Sequence, residues 1–290
     1  MEVKNEKGQI VLLDACTLIN ILYIDEDEII IKLLKKLNFF IVEKVYIETK
    51  KKLFARLIPE QKDDENFKNK LRDSLLHLST NIIRNKHIQE LFDPNFINDS
   101  LEVFNYRKQN GEFFSSSYSL LLSRFYDTKV IFITDDYPAR QHFSECFKFQ
   151  QIGYVEDIVD LLVFLSTMSK LFTTIMLNNF FTSIISAYNS QIVGFRKELE
   201  KFRNGLTIQQ KRDSYLRENL TSLLNKLSTF ELDEIKKYRN KFNKRKYPIL
   251  NTILKNNDSV FDINSESRKT MIEKVNNTIK SLEKQKLYKI

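Results

Sequence analysis

Residues 10–20 read IVLLDACTLIN and residues 130–140 read VIFITDDYPAR. Each stretch opens on an unbroken apolar run and passes into aspartate, at Asp14 in the first and at Asp135 and Asp136 in the second. Apolar runs too short for a helix fit strands buried on both faces, and such strands belong to parallel sheets covered by helices. The two runs therefore predict strands at residues 10–13 and 130–134. Working outward, EIIIKLLKKL at residues 28–37 has helical apolar spacing, and FFIV at residues 39–42 returns as a strand. Strand, helix and strand within about 30 residues make a βαβ unit. Residues 46 to 91 are charged and helical in pattern, with a short strand expected at 81–83. Gly111 breaks that pattern, SSSYSLLLSRFY at 115–126 reads as a helix, and residues 149–152 are expected to form a last short strand before Gly153. From Tyr154 onward the pattern is helical only, with a long helix around residues 191–203. The expected fold class is α/β with a mainly parallel sheet over residues 1–153, followed by an all-α domain over residues 154–290.

Composition supports this division. The 290 residues contain only 5 Gly and 4 Pro, too few turn formers for an all-β fold. The net charge of +8 is uneven: residues 155–290 hold 24 Lys and Arg against 15 Asp and Glu, while residues 1–154 hold 22 against 23. A basic half beside a near-neutral half favours a nucleic-acid partner, and an anionic membrane surface fits the same arithmetic. Residues 171–195 carry no charge, but Asn178, Asn179, Asn189 and Gln191 would be costly in lipid, so a buried helix and no membrane span are expected. Cys16 and Cys146 form neither a metal motif nor a disulfide framework, and no signal-peptide pattern opens the chain, so the expected setting is reducing and cytoplasmic. His77, His87 and His142 lack ligand spacing.

In open α/β sheets, functional groups gather outside the carboxyl ends of the strands. Two neighbouring strands that both end in aspartate would therefore build an acidic pocket. Clustered carboxylates repel one another unless protonated or neutralised, and an all-oxygen donor set points to Mg²⁺ or Mn²⁺ rather than zinc.

VLLDACTLIN, VYIE ending in Glu48, NGEFFSSSYSLLLS with Glu112, and VIFITDDYPAR with Asp135, Asp136 and Arg140 resemble, in order and spacing, the PIN-domain family over about 140 residues. The resemblance implies a three-layer α/β/α domain and a metal-dependent endoribonuclease. It assigns catalytic and metal-holding roles to Asp14, Glu48, Glu112 and Asp135, with Asp136 as a further metal ligand. Many family members carry an Asp inside the helix where this chain has Ser115, Ser116 and Ser117. A non-catalytic nucleic-acid-binding or assembly protein on the same scaffold is the alternative. A haloacid-dehalogenase phosphatase would need a second Asp where Cys16 stands.

Each candidate also has a plainer role. Asp14 and either member of the Asp135–Asp136 pair are also suited to cap a helix. Thr17 is placed to orient Asp14 or to start a helix. Glu48 competes with Glu43, and both Glu48 and Glu112 also fit solvated helix positions. Arg140 suits either a bidentate phosphate contact or a neighbouring carboxylate. The run KKYRNKFNKRKY at residues 236–247 offers Lys236, Lys237, Arg239, Lys244 and Arg245 to phosphates, and Tyr238, Phe242 and Tyr247 to unpaired bases. It also reads as an amphipathic segment with its aromatics in a core. RNA, including single strands, is the expected partner; a homo-oligomer and an inhibitory protein partner both remain open.

Overall fold

The computed structural model describes residues 9–55, 57, 61, 63–169, 172–262 and 265–284. Its four strands are β1 (Ile10–Leu13), β2 (Phe39–Ile41), β3 (Val130–Ile133) and β4 (Gly153–Glu156), all parallel, in spatial order β2-β1-β3-β4. The helices between β1 and β2 are α1 (Ala15–Ile24) and α2 (Ile29–Leu34). Between β2 and β3 lie α3 (Glu43–Lys52), α4 (Glu65–Leu78), α5 (Lys86–Leu91), α6 (Pro94–Phe104) and α7 (Gly111–Tyr126). Helix α8 (Tyr137–Phe149) joins β3 to β4, and α9 (Ile158–Met168) follows. Beyond it run α10 (Thr174–Asn204), α11 (Ile208–Arg212), α12 (Ser214–Ser228), α13 (Leu232–Ile235), α14 (Pro248–Asn256) and α15 (Ser265–Lys284).

The chain divides into two compact units: residues 1–54, 65–184 and 274–290 form the first, and residues 55–64 and 185–273 the second. The sheet belongs to the first. Central strand β1 is buried along its whole length, with Leu13 in register with Ile41 on one side and Ile133 on the other. The same register sets Asp14 and Thr134 side by side where β1 and β3 end. A ring of Phe104, Phe132, Phe143 and Phe147 fills the space between sheet and helices, each fully buried. A buried Phe stabilises the fold by roughly 1.5–3 kcal/mol, so this ring is a main anchor of α8. Helix starts are set by polar caps. Asp14 caps α1, Asn110 caps α7, Asp136 caps α8, and Asp157 with Asp160 forms a capping box on α9.

The last strand is displaced from the sequence expectation. Residues 149–152 are the end of α8 and a turn, with Phe149 84% exposed, and the strand begins at Gly153. Gly153 has φ +155° and lies so close to β3 that a Cβ would stand 1.9 Å from the Val130 carbonyl oxygen, so only glycine fits that pairing. The sheet therefore continues past residue 153, and the expectation of helices alone from Tyr154 onward does not hold. The strand expected at 81–83 is a single bridge between Ile41 and Ile82.

The second unit is helical among its described residues. Its core gathers Phe195, Leu199, Leu216, Leu223, Ile235 and Phe261. Residues 172–195 of the uncharged run fall in a turn and in α10, while Leu171 lies outside the described residues. Among the described residues no helix is long and apolar enough to cross a membrane.

Candidate active site

Four carboxylates from four elements converge beyond the C-terminal ends of β1 and β3. Asp14 leaves β1 directly and is 1% exposed. One of its oxygens accepts the Ala15 N–H, and Oδ2 accepts the Thr134 hydroxyl at 2.9 Å. Thr134 Oγ1 in turn accepts the Asp136 N–H at 3.2 Å. A single hydroxyl thus links Asp14 to the backbone of Asp136 across adjacent strand ends. Thr17 does not orient Asp14; its hydroxyl donates to the Ile133 carbonyl at 3.4 Å.

The other two acids come from α3 and α7. Glu48 Oε1 accepts the N–H of Gly111 at 3.1 Å, at the first residue of α7. A Cβ on Gly111 would stand 2.9 Å from Glu48 Oε2, so the glycine makes room for this carboxylate. Glu112, next in the chain, has Oε2 held by Asn110 Nδ2 and by the Tyr106 hydroxyl, the latter at 3.3 Å. Glu43, the competitor of Glu48 in the sequence, instead lies near Tyr118, whose hydroxyl is pushed up to about 12 by burial and then by the Glu43 charge.

Electrostatics ties the four together. Burial, then the charge of Glu112, pushes Asp14 up to about 8, and Asp136 adds to the shift. Burial raises Glu112 as well, followed by the charges of Asp136 and Glu48. Tyr106 is pushed up to about 12, mainly by burial, with Glu112 and Asp136 contributing. The charges of Glu112 and Asp136 thus act on Asp14, and those of Asp136 and Glu48 act on Glu112.

Asp135 stands outside that group. Asn20 Nδ2 donates to its Oδ2 at 2.5 Å, and the Ile158 N–H donates to its Oδ1 at 2.9 Å. Burial, then the charge of Asp157, pushes it up to about 6. Like Asp14, Asp135 has both oxygens hydrogen-bonded, and through them it fastens the start of α9 to the end of β3. Asp136 is the member of the doublet that faces Asp14 and Glu112, while also capping α8 through the Ala139 N–H at 3.3 Å. The sequence expectation named both members of the doublet, Asp135 beside Asp14, Glu48 and Glu112 and Asp136 as a further metal ligand; in the fold the charge of Asp136 acts on Asp14 and Glu112, while Asp135 is hydrogen-bonded to Asn20 and Ile158.

Arg140 is likewise committed: its guanidinium pairs with the fully buried Asp157, which Lys274 also reaches at 2.8 Å. It lines a groove of about 880 Å³ with His142, Ser144, Glu156 and Lys274, but its carboxylate partner leaves it poorly suited to grip a phosphate. Ser115, Ser116 and Ser117 are fully buried, with hydroxyls that have no hydrogen-bond partner among the described residues.

The basic run splits in the second unit. Tyr238, Phe242 and Tyr247 are all buried in its core, so they are unavailable to stack on bases. Lys236 pairs with Asp233, Lys237 with Glu234 and Arg239 with Asp258. Lys244 and Arg245 are exposed and have no ion pair among the described residues.

No family model, curated protein or solved structure matches the chain. Among the described residues no group of three or more His, Cys, Asp or Glu side chains is arranged to hold a metal ion. The four side chains offer oxygen donors alone, the chemistry of a hard divalent cation site, and burial with neighbouring acids raises the carboxyls of Asp14 and Glu112. Magnesium keeps several waters and commonly takes only one or two protein carboxylates.

Sequence reasoning missed Thr134, Asn20 and Tyr106. Thr134 had a signal, as a hydroxyl residue directly between a buried strand and paired aspartates. Asn20 and Tyr106 are recognisable only once the folded chain brings them beside Asp135 and Glu112.

Proposed function

We propose that the chain is a metal-dependent endoribonuclease, with a three-layer α/β/α first unit of PIN type and an all-α basic second unit. The observation that carries this reading is the convergence of Asp14, Glu48, Glu112 and Asp136 at the carboxyl ends of two parallel strands, with the most buried of them pushed up to about 8. When bound, Mg²⁺ or Mn²⁺ would lower the pKa of a water and offset charge on the phosphate oxygens. Asp14 and Asp136 would hold the ion, fixed relative to each other by Thr134. Glu48 is steadied by the Gly111 N–H and Glu112 by Asn110 and Tyr106, which leaves Glu112 Oε1 to accept a proton from water. A carboxyl with a raised pKa is a better proton acceptor than an ordinary one. Hydrolysis joins the water oxygen to phosphorus and releases the ribose oxygen from it.

The test is cleavage of labelled single-stranded RNA and matching DNA in Mg²⁺, Mn²⁺ or EDTA, beside Asp14→Ala and Asp136→Ala. Metal-dependent RNA cleavage that both substitutions abolish is expected. Cleavage that persists unchanged in Asp14→Ala sinks the assignment, and RNA binding without cleavage under every metal condition favours a non-catalytic scaffold.

A further inference from the structure

The second unit gathers two basic segments that are separate in sequence. Tyr215 donates its hydroxyl to the Lys241 carbonyl at 3.0 Å, and its ring meets Phe242 edge-on, with centroids 6.5 Å apart. Tyr247 donates to Asp213 Oδ2 at 2.5 Å, and Lys246 pairs with the same oxygen at 2.7 Å. These contacts hold residues 241–247 against the end of α11 and the first turn of α12. The two segments, 211–217 and 241–247, contain seven Lys and Arg against one Asp, and that Asp is already neutralised by Lys246. Lys211, Arg212, Arg217, Lys241, Lys244 and Arg245 are exposed and have no ion pair among the described residues. Tyr215 is 45% exposed among them, with its hydroxyl fixed and its ring partly open to solvent.

We infer that this face binds the backbone of a single-stranded nucleic acid, with Tyr215 as a stacking surface for one base. An uncompensated cluster of cations releases counterions when it meets phosphates, and an exposed ring within it adds sequence-tolerant stacking. The neighbouring cations Lys236, Lys237 and Arg239 contribute little, because acidic partners already hold them. This face is distinct from the acidic group of the first unit, and binding there needs no metal and no cleavage.

The experiment compares two triple variants of the full chain with equal charge loss. One carries Lys241→Ala, Lys244→Ala and Arg245→Ala; the other carries Lys236→Ala, Lys237→Ala and Arg239→Ala. Binding of labelled single-stranded RNA is followed by fluorescence anisotropy in EDTA over a salt series. Vesicles of phosphatidylcholine with and without phosphatidylserine are measured in parallel. The first variant is expected to bind about tenfold or more weaker and to lower the slope of log K against log salt by about 2, at about 0.7 per lost phosphate contact on a single strand. The second should stay within about twofold of the parent chain. Tyr215→Leu should weaken binding with no change in salt slope. Equal weakening by both triple variants, unchanged binding by the first, or binding by the parent to anionic vesicles but not to RNA overturns the inference. Because cleavage is not read, a failed nuclease assay leaves this outcome untouched.

Discussion

Replacing Asp14 by Asn removes a buried acid while keeping its shape, and the expected result is a more stable protein in EDTA. Asp14 is pushed from its ordinary 3.8 up to about 8, so the folded chain keeps a proton that the unfolded chain releases. Stability from this group is therefore full below about pH 4 and falls as pH rises towards about 8. At pH 7 the loss spans about three pH units at about 1.4 kcal/mol each, or about 4 kcal/mol. Asn carries no such cost, but its single acceptor cannot take both the Ala15 N–H and the Thr134 hydroxyl that Asp14 accepts. That lost hydrogen bond costs about 1–2 kcal/mol. The net gain of about 2–3 kcal/mol corresponds to a rise in Tm of about 5–10 °C for a unit of this size. Differential scanning calorimetry at pH 5, 7 and 8 in EDTA reads it directly, and the advantage of the variant should grow with pH. Adding Mg²⁺ should stabilise the parent chain and leave the variant nearly unchanged. An Asn variant that is no more stable at pH 7, or whose advantage is the same at pH 5 and pH 8, refutes the account of a destabilised carboxyl.

Three further outcomes follow from the same geometry. Gly111→Ala removes a glycine from the first turn of α7 and pushes against the Glu48 carboxylate, so Tm should hold or rise while RNA cleavage falls tenfold or more; unchanged cleavage detaches Glu48 from the chemistry. Thr134→Val should cost about 1–3 kcal/mol in thermal unfolding and lose cleavage, while Thr134→Ser restores both; a silent Val variant shows that the bridge between Asp14 and Asp136 does not matter. Arg140→Ala leaves buried Asp157 with Lys274 as its remaining cation and should lower stability by about 2–3 kcal/mol with little change in RNA affinity, and a large affinity loss at unchanged stability restores Arg140 as a phosphate contact.

The parallel sheet was legible because two of its strands are buried on both faces and show it as unbroken apolar runs. β4 was not: its residues Gly153 and Tyr154 carry no apolar pattern, and Tyr154 is 61% exposed. Its place is set by the close approach of Gly153 to Val130, a contact between residues more than twenty positions apart that periodicity does not register. The basic run was legible as charge but not as surface. Tyr238, Phe242 and Tyr247 turn inward because the second unit needs their apolar area, and the acids that neutralise Lys236, Lys237 and Arg239 include one as distant in sequence as Asp258.

The aspartate doublet shows most clearly where reading one chain in order stops. Both Asp135 and Asp136 follow a buried strand and precede a helix, so either suits a cap or an oxygen donor. Their side chains leave the strand end in different directions, and what each meets depends on what the sheet places beside it. On one side stand Asn20 and the first backbone N–H of α9, and these take both oxygens of Asp135. On the other stand Asp14 and Glu112, whose carboxyls the Asp136 charge helps to raise. The neighbour that takes up Asp135 is α9, whose first N–H lies two residues past the end of β4, the strand that continues the sheet beyond residue 153. Hiding that strand from the sequence reading therefore also hid which aspartate faces the acidic group. Asp135→Asn and Asp136→Asn should accordingly separate: the first loosens the junction of β3 with α9, and the second removes charge from the candidate site.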